Sequence, residues 1–281
     1  MIDGKTKVYG LLGRPVAHSL SPAMHNAAFR ELGINAVYVA FPVTDLAQAV
    51  AGLRGLDIQG ASVTIPFKEE IIPLLDELDP RAARMGAVNT VARRDERLVG
   101  YNTDWRGALK ALEEKTAIAG KRFLILGAGG AARAMVFAIL EKGGQAAVSD
   151  LDTAKALSLS REFWVEVVSP GHLEEYTASV LINATPVGMA PDADAIPMEP
   201  HLLGRFSLVM DIVYRPLETR LLREAKARGC QTIDGLQMLI YQGAAQFELW
   251  TGRPAPLETM TRAAYEALIG KVQTSRFKTQ S

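Results

Sequence analysis

Phe123-Leu124-Ile125-Leu126-Gly127-Ala128-Gly129-Gly130-Ala131-Ala132 is the stretch on which the fold turns. Four consecutive apolar residues predict a strand buried on both faces, and the glycine cluster ends it before a helical stretch that closes at Gly143-Gly144. The pattern is G-x-G-x-x-A in the setting it requires. Gly127 permits the tight turn, Gly129 lets the backbone approach a pyrophosphate, and Ala132 lets the helix sit close to the strand. Backbone N–H groups at the helix start, among Ala128, Gly130 and Ala131, are expected to hold the phosphates. A second strand, Gln145 to Ser149, ends at Asp150, about 20 residues beyond the glycines, where a carboxylate can bind the adenosine ribose hydroxyls. Strand, glycine loop, helix, strand and acid in this order predict a Rossmann-type domain that takes NAD or NADP. The acid leans towards NAD, because a 2'-phosphate at 4 Å from Asp150 would be repelled by roughly 4 kcal/mol per charge pair at an effective dielectric of about 20. Lys155 is the nearby cation and is assigned to the cofactor. The alternative reading is that Asp150 and Asp152 cap the next helix.

The rest of the chain is consistent with such an enzyme. At 281 residues it exceeds the usual single core and predicts two α/β domains. With 48% apolar and 22% charged residues it reads as globular, and the match of 31 basic to 31 acidic residues leaves no global field to draw in nucleic acid or an anionic membrane. The expected partner is a small molecule, and the expected state a monomer or homodimer. Cys230 alone cannot make an internal disulfide, the polar start Met1 to Lys5 has no signal-peptide character, and no run approaches the ~18 apolar residues of a membrane span. The expectation is a cytoplasmic protein without a structural metal.

Upstream of the glycine loop, apolar runs at Val8 to Leu12, Val37 to Phe41, Ala61 to Ile65, Val88 to Ala92 and Leu98 to Tyr101 predict strands of a mixed α/β unit. Ser21-Pro22 predicts a helix start with Ser21 as the N-cap, and Gly33 its end. Downstream, strands are expected at Val180 to Asn183, Leu208 to Asp211 and Thr232 to Ile233. Helices are expected at Leu217 to Arg228, Gly235 to Trp250 and Leu257 to Ile269. The domains predicted are 1–104 with 236–270 for substrate, the C-terminal helices returning to the first domain, and 105–235 for the dinucleotide, with a loose tail at 271–281.

Polar residues gather where the apolar runs of the first domain stop. His18, Ser19, Ser21 and His25 surround the first helix start. Thr64 lies in a run closed by Pro66, with Lys68 just beyond it, while Asn89 and Thr90 sit among Ala and Val. Asn102-Thr103-Asp104 follows Tyr101. Strand ends are where α/β folds place ligands, and this set suits a polyol or a carboxylate. Ser19 and Ser21 also fit as turn and capping residues, and His25 as a packed residue. Met189, Gly235 and Met238 fit either a nicotinamide pocket or the core.

The segments Ser19 to Asn26, Val63-Thr64-Ile65-Pro66-Phe67-Lys68, Gly86-Ala87-Val88-Asn89-Thr90 and Gly100-Tyr101-Asn102-Thr103-Asp104 together resemble the shikimate dehydrogenase family. So do Gly127 to Ala132, Asn183 to Met189, Asp211-Ile212-Val213-Tyr214 and Asp234 to Gln242. The resemblance implies reduction of 3-dehydroshikimate to shikimate with a nicotinamide dinucleotide, usually NADPH, on the route to chorismate and the aromatic amino acids. It assigns Ser19, Ser21, Thr64, Asn89, Asp104, Tyr214 and Gln242 to the substrate and Lys68 with Asp104 to catalysis. Ile212, Gly235 and Met238 join the cofactor site. Where the family usually carries Asn-Arg-Thr-x-x-Arg against the 2'-phosphate, this chain has Asp150, Leu151, Asp152 and Lys155. Relatives that accept quinate often use NAD, which makes an NAD-dependent quinate/shikimate dehydrogenase the nearest alternative. A dinucleotide-sensing module without chemistry is the remote one.

Overall fold

The computed structural model describes the backbone of residues 2–278 and the side chains of residues 2–270. The chain divides into two compact units, Met1–Thr103 with Gln242–Ser281, and Asp104–Tyr241. The sequence places these boundaries at 104/105 and 235/236. The second one falls inside a continuous helix, where no turn residue marks it.

The first unit holds β1 (Lys7–Gly13), α1 (Ser21–Glu31), β2 (Ala36–Pro42), α2 (Leu46–Gly55), β3 (Gly60–Val63), β4 (Glu77–Leu78), α3 (Pro80–Met85), β5 (Thr90–Arg94) and β6 (Arg97–Tyr101). Its sheet runs β2-β1-β3-β5-β6-β4. Strands β2, β1 and β3 are parallel, whereas β5 is antiparallel to both β3 and β6. Leu12 pairs with Val63, Ser62 with Thr90, and Thr90 with Tyr101, so the carboxyl ends of β1, β3 and β6 share one sheet edge with the amino end of β5. Val88 and Asn89, expected inside β5, instead form its entry. Leu12, Leu53, Val63, Ile71, Val88, Val91 and Leu98 make the core against this sheet.

The second unit holds α4 (Asp104–Glu113), β7 (Arg122–Leu126), α5 (Gly130–Glu141), β8 (Gln145–Ser149), α6 (Thr153–Phe163), β9 (Glu166–Val167), β10 (Val180–Asn183), β11 (Leu208–Asp211), α7 (Arg220–Ala227) and β12 (Gln231–Ile233). The sheet is wholly parallel in the order β12-β11-β10-β7-β8-β9, the doubly wound arrangement. Alternate residues of β7 feed two cores: Phe123 and Ile125 enter one with Met135, Ile139 and Val148, and Leu124 and Leu126 enter the other with Leu181, Val209 and Leu221. Burial on both faces is why the run is continuously apolar, and each such side chain contributes about 1.5–3 kcal/mol.

Helix α8 (Gly235–Thr251) begins in the second unit and ends in the first, followed by α9 (Leu257–Lys278). The expected loose tail, 271–281, falls on residues whose side chains lie outside those described, and 279–281 lie outside them altogether. Helix α7 starts three residues later than expected because Thr219 caps it, its hydroxyl accepting the Leu222 N–H at 3.3 Å. Ser21 is likewise not a cap: Leu20 holds that position, and Ser21 is the first residue inside α1, beside Pro22. Gly33, with φ +62°, lies just beyond the helix end as expected. Among the described residues, no helix is long and apolar enough to cross a membrane, and no group of three or more His, Cys, Asp or Glu is placed to hold a metal ion.

Candidate active site

Every strand that feeds the shared edge of the first unit delivers polar groups there. At the end of β1, Gly13 leaves room for Thr64, since a Cβ on Gly13 would stand 2.2 Å from Thr64 Cγ2 and 2.9 Å from Val16 Cγ1. Ser19 Oγ then accepts the backbone N–H of Ser21 at 3.2 Å. After β3, the Thr64 N–H is held by the Leu12 carbonyl at 2.9 Å, and the chain turns through Ile65-Pro66 to Lys68, whose carbonyl accepts the Val88 N–H at 2.7 Å. That bond fixes Lys68 beside the entry to β5. Asn89, 2% exposed, has its amide engaged at both ends. Its Oδ1 accepts the Thr103 N–H at 2.7 Å and the Thr90 hydroxyl at 2.6 Å, and its Nδ2 donates to Thr103 Oγ1 at 3.0 Å and Gln242 Oε1 at 3.2 Å. Asp104, buried, follows Thr103 and opens α4, where a carboxylate suits the positive end of the helix dipole.

A wider polar network supports Asn89. Gln246 donates from Nε2 to the Asn89 carbonyl at 3.1 Å and to Thr90 Oγ1 at 2.9 Å, while its Oε1 accepts from Ser62 Oγ at 2.7 Å. Ser62 in turn accepts the Tyr38 hydroxyl at 2.6 Å. Burial pushes the Tyr38 phenol upward, opposed by its bonds to Ser62 and Ser21, so it stays a neutral donor. The sequence reading missed Ser62, Tyr38 and Gln246. The available signal was a second glutamine four residues after Gln242, on the same face of an otherwise apolar helix. His25 is fully buried, stacked on Tyr38 at 4.5 Å, with neither ring nitrogen hydrogen-bonded. Burial lowers its pKa to about 3, weakly opposed by the neighbouring Gln246. His25 is a packed residue rather than a proton carrier.

In the second unit the glycine loop leaves β7 at the carboxyl edge of the sheet. Gly127 has φ +109°, and a Cβ there would stand 3.1 Å from the Ala184 backbone, so only glycine fits. Gly129 caps α5, and nothing lies within 4 Å of the Cβ it lacks. That open cradle, with the first N–H groups of α5 behind it, fits a pyrophosphate. Asp150 Oδ2 accepts the Ala128 N–H at 2.7 Å, and its Oδ1 accepts the Asp152 N–H at 2.8 Å. Of the two acids, Asp152 is the cap of α6. Lys155 is exposed and lies 3.8 Å from the Asp152 carboxylate.

Beyond β10 and β11, Asn183 Nδ2 donates to Asp211 Oδ1 at 2.9 Å, and the Thr219 hydroxyl donates to Asp211 Oδ2 at 2.6 Å. Burial raises the Asp211 pKa to about 6 despite the bonds from Thr219, the Val213 N–H and Asn183. This knot holds the segment Ile212 to Tyr214. Burial also raises the Tyr214 pKa, so the phenol is neutral. Gly235 packs on that segment: a Cβ would stand 2.2 Å from the Ile212 carbonyl oxygen. Its missing side chain is therefore required by the protein's own backbone, and Met238, buried, belongs to the core of this unit. Among the expected site residues, then, Asn89 meets Gln242, Ser19 meets Ser21, Asp150 meets the glycine loop and Gly235 meets Ile212. Asp104 and Tyr214 belong to the unit Asp104–Tyr241, and Ser19, Ser21, Thr64, Lys68, Asn89 and Gln242 to the other.

A doubly wound sheet with an open glycine cradle, in one chain with a lysine and buried amides at a mixed-sheet edge, defines a nicotinamide-dinucleotide-dependent oxidoreductase acting on a CH–OH group. Comparison with known proteins narrows this. Residues 11–91 match the shikimate dehydrogenase substrate binding domain, and residues 235–265 the shikimate 5'-dehydrogenase C-terminal domain. A shikimate dehydrogenase (NADP(+)) of Pyrococcus abyssi is 50% identical over 264 residues, which cover 93% of this chain and 98% of the relative. The crystal structure of a shikimate dehydrogenase in complex with NADP+ superposes with a TM-score of 0.90 at 42% identity, covering 95% of this chain and 98% of that one. A Listeria monocytogenes shikimate 5-dehydrogenase in complex with shikimate and NAD gives a TM-score of 0.84 at 36% identity, covering 93% and 97%. The chain belongs to the shikimate dehydrogenase family.

Proposed function

We propose that the protein catalyses the reversible dinucleotide-dependent reduction of 3-dehydroshikimate to shikimate, a step towards chorismate. The observation that carries this reading is the shared edge in the first unit, where β1, β3, β5 and β6 present Ser19, Thr64, Lys68 and Asn89 together with Gln242. Hydroxyls and amides of this kind match a ring bearing several hydroxyls. When bound, the dinucleotide supplies the hydride. Negative charge then develops on the carbonyl oxygen, where the Lys68 ammonium stabilises it and delivers the proton. Asp104 is the second member of the proposed catalytic pair. Ser19, Ser21, Thr64, Asn89, Tyr214 and Gln242 bind the ring hydroxyls and the carboxylate.

For the cofactor, the proposal is NAD in preference to NADP. The Asp150 carboxylate is tied to two backbone N–H groups, so turning it away from a 2'-phosphate would break two charge-assisted bonds. Leu151 brings no cation, and Lys155 is shared with Asp152. Initial rates with shikimate and quinate, each with NAD or NADP, test both parts of this reading. Shikimate turnover faster with NAD is the expected result. Faster turnover of quinate would transfer the assignment to a quinate/shikimate dehydrogenase, and no turnover by folded protein would remove the catalytic reading.

A further inference from the structure

We propose that Gln246 is a positioning residue for the substrate amides Asn89 and Gln242, acting as the hub of a buried hydrogen-bond network that reaches back to Tyr38. The inference rests on the reading of Asn89 and Gln242 as substrate-binding groups. Its geometry lies entirely within the first unit.

Residues 242, 246 and 250 recur every four positions on α8, so they form one stripe of the helix. The stripe lies along β5 in register. Gln242 meets the Asn89 side chain, Gln246 meets the Asn89 carbonyl and the Thr90 hydroxyl, and the Trp250 indole donates to the Val91 carbonyl at 3.0 Å. Gly60 makes room for that indole, since a Cβ there would stand 2.4 Å from Trp250 Nε1. The Asn89 carbonyl is already taken by the Val63 N–H at 2.7 Å, so Gln246 adds a second donor at the point where β5 begins.

Gln246 is 1% exposed and uses both ends of its amide. The Ser62 hydroxyl, oriented by Tyr38, donates to its oxygen, which leaves the Gln246 NH2 no choice but to face Asn89 and Thr90. The Thr90 hydroxyl, its oxygen occupied by that NH2, directs its own hydrogen to Asn89 Oδ1. The Asn89 NH2 is thereby turned towards Gln242. One chain of donors thus sets which end of the Asn89 amide meets a substrate hydroxyl, and it does so from a glutamine outside the residues assigned to substrate.

The test is steady-state kinetics on the full-length protein with Gln246→Leu and, as the milder variant, Ser62→Ala, with thermal unfolding recorded in parallel. Gln246→Leu is expected to raise the shikimate KM about tenfold in folded protein while the dinucleotide Kd stays within about twofold, the cost of leaving one buried amide misdirected. Ser62→Ala, which leaves Gln246 in place without its orienting donor, is expected to raise the shikimate KM by a smaller factor of about three. Gln246→Glu, which keeps the acceptor for Ser62 but loses the donors to Asn89 and Thr90, should fail to restore the KM. A shikimate KM unchanged in Ser62→Ala and in folded Gln246→Leu, with only the melting temperature lowered, would overturn the inference and leave Gln246 a packing residue. Absence of shikimate turnover in the unsubstituted protein would instead overturn the proposed function on which the inference rests.

Discussion

The Asp150 carboxylate grips the glycine loop itself, accepting the Ala128 N–H at 2.7 Å from the end of the adjacent strand. An acid usually read as a hand for the ribose is also a clamp on the loop proposed to cradle the phosphates. Its charge is therefore fixed in place, and Asp150→Ala is expected to change cofactor choice and loop order together. The ratio of kcat/KM for NADP over NAD should rise about tenfold or more, corresponding to at least ~1.4 kcal/mol of relieved repulsion. Unchanged ratios in purified variant and parent would show that the acid does not select the cofactor.

Lys68→Ala is expected to lower kcat by about 10²- to 10⁴-fold, the usual contribution of a positioned acid, with a smaller effect on the shikimate KM. Stopped-flow and steady-state rates on the same preparation check this. Near-normal turnover would remove Lys68 from the chemistry.

Two glycines separate binding from packing. Gly129→Ala meets no atom within 4 Å, so the fold should keep its stability while dinucleotide affinity, read by fluorescence titration, falls about tenfold. Gly235→Ala meets the Ile212 and Val213 backbone at 2.2 to 2.7 Å and is expected to cost roughly 1–3 kcal/mol of stability in denaturant unfolding. Equal behaviour of the two variants would contradict both assignments.

Buried titratable groups give opposite pH dependences. His25 falls from an ordinary 6.5 to about 3 on folding, so between those values the unfolded chain binds a proton that the folded one refuses, and acidification destabilises. Asp211 rises from 3.8 to about 6, so in that window the folded protein takes up the proton first, and acidification stabilises. Relative to the parent, His25→Phe should therefore gain stability as the pH falls from 7 to 5, and Asp211→Asn should lose it. Urea unfolding at both pH values reads the differences, and parallel curves for either variant would refute the corresponding shift.

The dinucleotide half was legible because its signal is local: one apolar run, one glycine loop and one acid within about 30 residues, the span of a βαβ unit. Strand ends in the first half were also legible, as polar residues closing apolar runs. The direction of β5 was not, since periodicity carries no sign and only the pairing of Ser62 with Thr90 fixes it. Nor were β4 and β9, which at two residues show no period. The capping role given to Ser21 failed because Leu20 holds the cap position and Ser21 is already inside α1. The network behind Asn89 joins Ser62 to Gln246 across 184 positions, a separation at which no local pattern survives.

The reversed course of β5 has a practical consequence. Because the strand enters at the edge that carries Asn89, it must leave at the other one, where Asp95 and Glu96 make the tight exposed turn into β6 between Arg94 and Arg97. The sheet's full depth separates that hairpin tip from Lys68 and Asn89. A peptide tag or a fluorophore grafted there would report on the protein while leaving its chemistry alone, and the tip offers a splice point for building fusions into the middle of the chain rather than onto its ends.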